Sequence, residues 1–177
     1  MAIWFTSDTH FHHTNVIEYS NRPFRSLDGR LLVWQMNKAL IDNWNSVVAP
    51  EDTIYHLGDF AMGPKNLVAP VLKQLNGHKI LIKGNHDRSC QFMIQHGFQE
   101  AYGELDIVVD DIKLYLHHQP IIGQYWQWTS KYHLHGHVHQ AYKRRGRLIN
   151  VGVDVWGYKP QSLQSLLSAE DEENGRR

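Results

Sequence analysis

Short apolar runs that stop at glycine or polar residues predict three strands in the first half of the chain. Residues 3–6, 52–57 and 79–83 are rich in β-favouring side chains and each is followed by a polar loop. Between the first two runs, residues 31–48 carry apolar side chains at helical spacing, which predicts an amphipathic helix. Strands that alternate with helices are typical of a layered α/β protein.

The predicted helix at 31–48 places Trp34 and Trp44 on its apolar side, so we expect both rings in the core. Asp28 is its predicted N-cap, because a short carboxylate side chain can accept from the first free amides of a helix. Two shorter helices are predicted farther along, over residues 63–75 and 89–96.

The second half of the chain changes to alternating apolar and polar positions. Residues 102–116 alternate around Asp110 and Asp111, which predicts a β-hairpin with those two residues in its turn. Residues 132–135 and 148–155 are predicted strands, and residues 121–131 are predicted to form a loop or irregular helix. This pattern indicates a mixed sheet or two stacked sheets.

The 177 residues show no linker and no repeat, so we predict a single domain over 1–168. The polar residues 169–177 are predicted to form a flexible tail. The single cysteine, Cys90, excludes an internal disulfide framework and fits a reducing, cytoplasmic environment. No apolar run approaches the roughly 18 residues of a transmembrane helix, so no membrane partner is expected.

The formal net charge of +0 gives no argument for a nucleic-acid or anionic membrane partner. The one basic run, residues 143–147, is interpreted as a solvated hairpin turn and provides no extended nucleic-acid track.

The 13 histidines cluster where predicted strands end, together with carboxylates and one amide. The donors are Asp8, His10, Asp59, Asn85, His86, His118, His137 and His139. Imidazole, carboxylate and amide donors without thiolates favour divalent ions such as Mn, Fe, Zn, Ni or Co. These donors are too many for one four-coordinate site but suffice for two ions about 3.5–4 Å apart.

The loop after the first strand offers candidate phosphate contacts in Arg22 and Asn15. A guanidinium matches phosphate geometry, although most arginines are solvated or structural, and both interpretations stay open.

The order of these motifs resembles that of calcineurin-like metallophosphoesterases, especially small bacterial and phage proteins of this superfamily. The shared motifs are Asp-x-His at Asp8, Gly-Asp at Asp59, residues 84–87, the His-x-Pro that begins at His118, and Gly-His-x-His ending at His139. The resemblance implies an α/β fold, a four-layer α/β/β/α sandwich of two mixed β-sheets flanked by helices.

The resemblance also implies a division of labour among the donors. One metal ion would be bound by Asp8, His10, Asp59 and His139, and the other by Asp59, Asn85, His118 and His137. Asp59 would bridge the ions, and a bridging hydroxide would be the nucleophile. His86 would protonate the leaving oxygen or stabilise its charge, with Asp87 orienting it.

Three other histidines near these motifs have less defined roles. His118 is chosen over His117 because His118 has the His-x-Pro spacing. His12 and His13 are not ligands in the family pattern, so supporting or loop roles are expected.

The implied activity is metal-dependent hydrolysis of phosphoric esters, with manganese as the first candidate metal. Phosphodiesters are favoured, because a chain of this length has no room for a large cap domain and should keep an open site. A nucleotide-derived ester is one candidate substrate. The alternatives are a phosphomonoesterase that acts on proteins or nucleotides, and a non-catalytic metal-binding scaffold.

Overall fold

The computed structural model describes residues 1–121 and 131–171, which form two five-stranded sheets and five helices. The helices are α1 Val16–Tyr19, α2 Val33–Asn45, α3 Val68–Leu72, α4 Cys90–Gln95 and α5 Leu163–Leu167. The strands are β1 Ile3–Thr6, β2 Thr53–His56, β3 His78–Ile82, β4 Glu100–Tyr102, β5 Glu104–Val109, β6 Ile112–His117, β7 Tyr132–His135, β8 Arg144–Arg145, β9 Leu148–Asn150 and β10 Gln161–Ser162. No helix in these ranges has the length and hydropathy to cross a bilayer.

The first sheet has the strand order β10-β1-β2-β3-β4. Strands β1 to β4 run parallel, and only β10 pairs antiparallel with β1. Thr6 lies opposite His56, which in turn lies opposite Leu81, so these three strands end at nearly the same level. Their carboxyl ends therefore release three loops along one edge of the sheet.

The second sheet has the order β5-β6-β7-β9-β8 and is also mixed. Its three central strands, β6, β7 and β9, run parallel, while β5 and β8 pair antiparallel at the edges. Asp110 and Asp111 both have positive φ and form the predicted turn between β5 and β6. The two mixed sheets confirm the predicted mixed α/β fold class.

Two hydrophobic cores hold these layers together. The core between the sheets contains Phe5, Leu57 and Ile82 from the first sheet and its loops, packed with Leu116 and Leu134 from the second. The other core lies between the first sheet and helices α1 to α4. The strand ends, which carry the polar donors, are thus anchored on both faces by apolar packing.

Helix α2 differs from the prediction at its start and in the position of Trp34. Asp28 is not its N-cap: its carboxylate accepts from Ser26 and pairs with Arg30 in the preceding turn. Trp34 is 63% exposed, whereas Met36 is fully buried. Two positions along a helix differ by about 200° in direction, so once Met36 faces the core, Trp34 faces solvent.

Other predicted elements are shorter or divided. The helix predicted over 63–75 is a 3₁₀ turn, Lys65–Leu67, followed by α3, in which Pro70 lies in the first turn, where its missing amide hydrogen is not needed. The strand predicted over 148–155 ends at Asn150, and Val153–Val155 is a 3₁₀ turn. Most of the segment predicted over 121–131 lies outside the described residues, as does most of the predicted tail.

Trp44 and Trp34 provide a matched test of the α2 packing. We expect Trp44→Ala to lower the free energy of unfolding by about 3–5 kcal/mol, because its ring is 1% exposed and its removal leaves a cavity. Trp34→Ala should change it by less than about 0.5 kcal/mol. Urea denaturation of both variants checks this, and equal losses would contradict the described helix orientation.

Candidate functional site

The predicted donors lie on loops that leave the carboxyl ends of five strands. Strand β1 is followed by Asp8 and His10, and β2 by Asp59. The remaining donors follow three other strands, namely Asn85 and His86 after β3, His118 after β6, and His137 and His139 after β7. Side chains from these loops lie within 4.0 Å of one another, so residues far apart in sequence share one site.

Several predicted metal ligands have the left-handed backbone conformation, which is unfavourable for residues other than glycine. They are Asp8 (φ 56°), His10 (φ 49°), Asp59 (φ 56°), His137 (φ 69°) and His139 (φ 47°). Each such residue costs roughly 1–2 kcal/mol, and strain of this kind clusters at functional sites. Holding these five side chains in place therefore lowers the stability of the fold.

Two glycines allow the loops to come this close. A Cβ atom on Gly84 would overlap the carboxylate of Asp59, and one on Gly136 would overlap the carboxylate of Asp8. The predicted Gly-Asn-His-Asp and Gly-His-x-His motifs therefore need glycine for close approach to the facing carboxylate.

The first donor group contains Asp8, His10 and His139, whose ligand atoms all lie within 4.8 Å of one another. Nε2 of His10 is 4.0 Å from Oδ1 of Asp8 and 3.6 Å from Oδ2 of Asp59. Both ring nitrogens of His10 are buried without a hydrogen-bond partner. Burial lowers the pKa of His10 to about 2, so the imidazole is neutral and can coordinate a cation.

The second donor group contains Asp8, Asp59 and His118, again with ligand atoms within 4.8 Å. Oδ1 of Asn85 lies 2.9 Å from Nε2 of His118 and 3.1 Å from Nδ1 of His137. Nδ1 of His118 is 2.7 Å from the Leu57 carbonyl, which fixes the ring and directs Nε2 toward the other donors. Asp8 therefore lies close to both groups, whereas the resemblance placed it with one ion alone.

Asp59 occupies the centre of the site. Its Oδ2 is 3.6 Å from Nε2 of His10, 3.4 Å from Nε2 of His118 and 3.9 Å from Nε2 of His86. Burial opposes ionisation of this carboxyl, but hydrogen bonds from His118 and from the His86 amide hold the pKa of Asp59 well below its usual range. It is therefore an anion of the second donor group that also faces His10 of the first.

The charges at this site fit divalent cations. Burial raises the pKa of Asp8, which means that an ionised Asp8 needs a positive neighbour. Two carboxylates, an amide oxygen and several imidazoles, among which the buried ring nitrogens of His10 have no hydrogen-bond partner, form the oxygen and nitrogen donor set that such ions prefer. The residues present thus fit the metal ions that the resemblance implies.

Asp87 does not have the role predicted for it. Its carboxylate accepts from the backbone amides of Asp59 (2.8 Å), Phe60 (2.9 Å) and Gly84 (2.9 Å), which occupies it with backbone rather than with His86. Asp87 therefore positions the loop that carries Asp59. His86 itself is exposed, with 44% of its side chain accessible, and its ring is 5.6 Å from that of His10.

Arg22, proposed as a phosphate contact, is structural instead. It is 1% exposed, and its guanidinium donates to both carboxylate oxygens of Asp154, at 2.8 and 3.0 Å. It also donates to the carbonyls of Asp8 (2.7 Å) and Thr9 (3.0 Å). Arg22 thus supports the β1 loop from within, because its donors are engaged by the protein itself.

Asp154 is a supporting residue that the sequence reasoning missed. Its Oδ2 is 2.7 Å from Nδ1 of His139, so a continuous chain runs from Arg22 through Asp154 to a predicted metal ligand. Burial lowers the pKa of His139, but the hydrogen bond with Asp154, together with the negative charges of Asp8 and Asp154, raises it above its usual value. The sequence does contain a signal for this role, because a carboxylate between Val153 and Val155 needs a partner if the segment is buried. The prediction of a strand over 148–155 gives Asp154 no such role.

The remaining candidates lie at the margins. Asn15 is exposed at the start of α1, where its side chain caps nothing, and its predicted substrate contact stays a prediction. Nδ1 of His12 is 3.0 Å from the Asn37 side chain, and Nδ1 of His117 is 2.8 Å from the Gln119 carbonyl.

Two clefts meet at His86. The α1 cleft, of about 500 Å³, is lined by residues that include His13, Val16, Tyr19, Val138, His139 and Ala141. The α3 cleft, of about 470 Å³, is lined by residues that include Met62, Pro64, Leu67, Val68, Arg88 and Met93. Because His86 lines both clefts, a group bound beside this imidazole has space on two sides.

We predict that Asp154→Asn weakens metal binding about 10- to 100-fold, because the carboxylate that orients His139 is lost. Titration of the chelator-treated protein with Mn²⁺ measures this affinity. Asp106→Asn, at an exposed carboxylate that pairs with Lys131, is the control and should bind Mn²⁺ normally. Unchanged affinity in Asp154→Asn would contradict a supporting role for this residue.

Comparison with known proteins assigns the chain to a family. Residues 1–170 match the calcineurin-like phosphoesterase superfamily domain. The chain is 34% identical to the uncharacterized protein MJ1445 of Methanocaldococcus jannaschii, covering 93% of this chain and 89% of that protein. It is 28% identical to the Gene 66 protein of Mycobacterium phage L5, with 87% of each covered.

A solved structure agrees with this match. The protein of unknown function AQ665 from Aquifex aeolicus is 30% identical and superposes with a TM-score of 0.69, over 92% of this chain and 95% of that one. The chain therefore belongs to the calcineurin-like phosphoesterase superfamily and is a metal-dependent hydrolase of phosphoric esters.

Proposed function

We propose that this protein hydrolyses phosphodiesters with the help of two divalent metal ions, Mn²⁺ foremost. Asp8, His10, Asp59 and His139 would hold one ion, and Asp59, Asn85, His118 and His137 the other. The observation that carries the proposal is the position of Asp59 Oδ2, within 3.6 Å of imidazoles from both ligand sets. A carboxylate in that position suits a bridging ligand.

The chemistry divides between the ions and the chain. When bound, two such ions supply an activated water nucleophile and neutralise charge on the phosphoryl oxygens. His86 is not needed as a ligand, and its exposed imidazole can give a proton to the departing ester oxygen. Asp87 and the Asp154–Arg22 pair keep the surrounding loops in register.

The preference for diesters is supported by the two clefts that meet at His86. A phosphodiester carries two ester groups on one phosphorus atom, and each cleft can take one of them. A phosphomonoester would leave one cleft without an occupant, so its binding would gain less from burial.

A panel of metals crossed with a panel of substrates tests this function. Chelator-treated protein is reloaded with Mn²⁺, Fe²⁺, Co²⁺, Ni²⁺ or Zn²⁺, and assayed on bis-p-nitrophenyl phosphate, p-nitrophenyl phosphate, cyclic nucleotides and single-stranded nucleic acid. We expect Mn²⁺ to restore turnover and the diester to be hydrolysed faster than the monoester.

Two other outcomes would change the assignment. A consistent preference for the monoester would make the protein a phosphomonoesterase. No turnover with any metal or substrate would favour a non-catalytic scaffold. Elemental analysis should give two ions per chain, and a single ion at saturation would contradict the dinuclear site.

A further inference from the structure

We propose that the α1 cleft binds a planar heteroaromatic ring on one ester arm of the substrate, stacked on Tyr19, so that the substrate is a nucleoside phosphodiester. This inference rests on the proposed phosphodiesterase function and deepens it. It concerns residues to which the metal chemistry assigns no role.

Tyr19 is a large aromatic residue held at the rim of the site. Its side chain is 75% exposed, although it closes a helix whose Val16 and Ile17 are buried in the core. The amide of Tyr19 donates to the Asn15 carbonyl, which fixes the backbone beneath the ring. An exposed ring on an anchored backbone provides a stacking surface for which only two side-chain torsions have to be ordered.

The imidazole of His13 connects this ring to the metal ligands. The rings of His13 and Tyr19 are 6.3 Å apart and edge to face, and the ring of His13 is 5.4 Å from that of His10. A ring stacked on Tyr19 can therefore be part of the same molecule as a phosphoryl group beside His10.

The other walls of the α1 cleft suit a neutral, flat group. Val16, Val138 and Ala141 contribute aliphatic surface, and no lysine or arginine is found among the described residues that line this cleft. The α3 cleft differs, because Arg88 lies on its wall. A cleft with an exposed tyrosine, aliphatic surface and no lysine or arginine among its described lining residues fits a nucleobase better than a second phosphate group.

The chemistry of the ligand follows from the α1 cleft and the donor site taken together. The phosphoryl group belongs beside His86 and His139, and both residues line the α1 cleft. A flat, neutral ring that is joined to a phosphate through a short sugar is a nucleoside phosphate. Recognition by stacking would tolerate different bases, because every base has a π face.

Calorimetric titration tests the stacking without needing turnover. The Mn²⁺-loaded protein is titrated with adenosine 5′-monophosphate and with ribose 5-phosphate, which has a hydroxyl group in place of the base. We expect the nucleotide to bind about tenfold more tightly. Tyr19→Ala should remove that difference and leave the affinity for ribose 5-phosphate unchanged, whereas Tyr19→Phe should keep it.

Trp34→Ala, at another exposed aromatic residue on α2, is the matched control and should preserve the difference. Three results would overturn the inference. The unaltered protein could bind the two ligands equally, it could bind neither of them, or Tyr19→Ala could lose the same affinity for both. Diester turnover without base-dependent binding would refute the cleft assignment alone. Base-dependent binding without turnover on any ester would instead refute the proposed function.

Discussion

Asp59→Asn should abolish phosphoester turnover, lowering kcat by roughly 10³-fold or more, which corresponds to about 4 kcal/mol of lost transition-state stabilisation. The amide removes the negative charge that lies between His10 and His118. It also replaces an acceptor oxygen that either ion would share. Initial rates on bis-p-nitrophenyl phosphate at saturating Mn²⁺ measure the loss, and elemental analysis should show fewer than two ions per chain.

Asp42→Asn is the matched control for this substitution. Asp42 makes an exposed pair with Lys38 on α2, away from the donor loops, so the same chemical change there should leave turnover and metal content intact. Near-normal activity of Asp59→Asn with added Mn²⁺ would refute the two-metal arrangement.

His86→Gln should lower kcat by about 10²- to 10⁴-fold while both ions are retained. His86 lines both clefts, and its Nε2 is 3.9 Å from Oδ2 of Asp59. Glutamine keeps much of the size and some hydrogen-bonding capacity but cannot transfer a proton near neutral pH. The loss should therefore be smaller for esters with p-nitrophenolate as the leaving group than for esters with alkoxide leaving groups.

This dependence on the leaving group separates a proton donor from a group that merely fills space. His78→Gln, at an exposed histidine that pairs with Glu100, provides the control and should have the activity of the unaltered protein. If His86→Gln lost both metal ions, or slowed both kinds of ester equally, the assignment of His86 as a proton donor would be wrong.

The strands and the donor loops could be predicted because their signals are local. Ile3–Thr6 and Tyr132–His135 are strands with the predicted bounds: the first is a largely apolar run that stops at a polar loop, and the second stops directly before Gly136. The donors follow directly from the strand ends, and parallel strands bring those ends to one edge. The convergence was therefore predictable, while each ligand assignment stays a proposal.

The errors concern residues whose roles depend on a distant partner. Arg22 was a candidate phosphate contact because a guanidinium fits a phosphate, but Asp154 lies far along the chain and occupies it. Asp87 is adjacent to His86 in sequence, yet its carboxylate is bound by amides from two loops. Trp34 was misplaced because helical periodicity fixes the spacing of apolar residues but not which of them faces the core.

The left-handed backbone of five predicted ligands has a consequence for how the protein chooses its metal. Because Asp8, Asp59 and His139 are held by the fold itself, the ordering cost of the ligands falls on folding rather than on ion binding. Such a site is a template of fixed spacing and cannot remodel itself around each ion. We therefore expect Mn²⁺, Fe²⁺, Co²⁺, Ni²⁺ and Zn²⁺ to compete for one geometry, with occupancy in a cell set by how well each ion fits that geometry and by its supply.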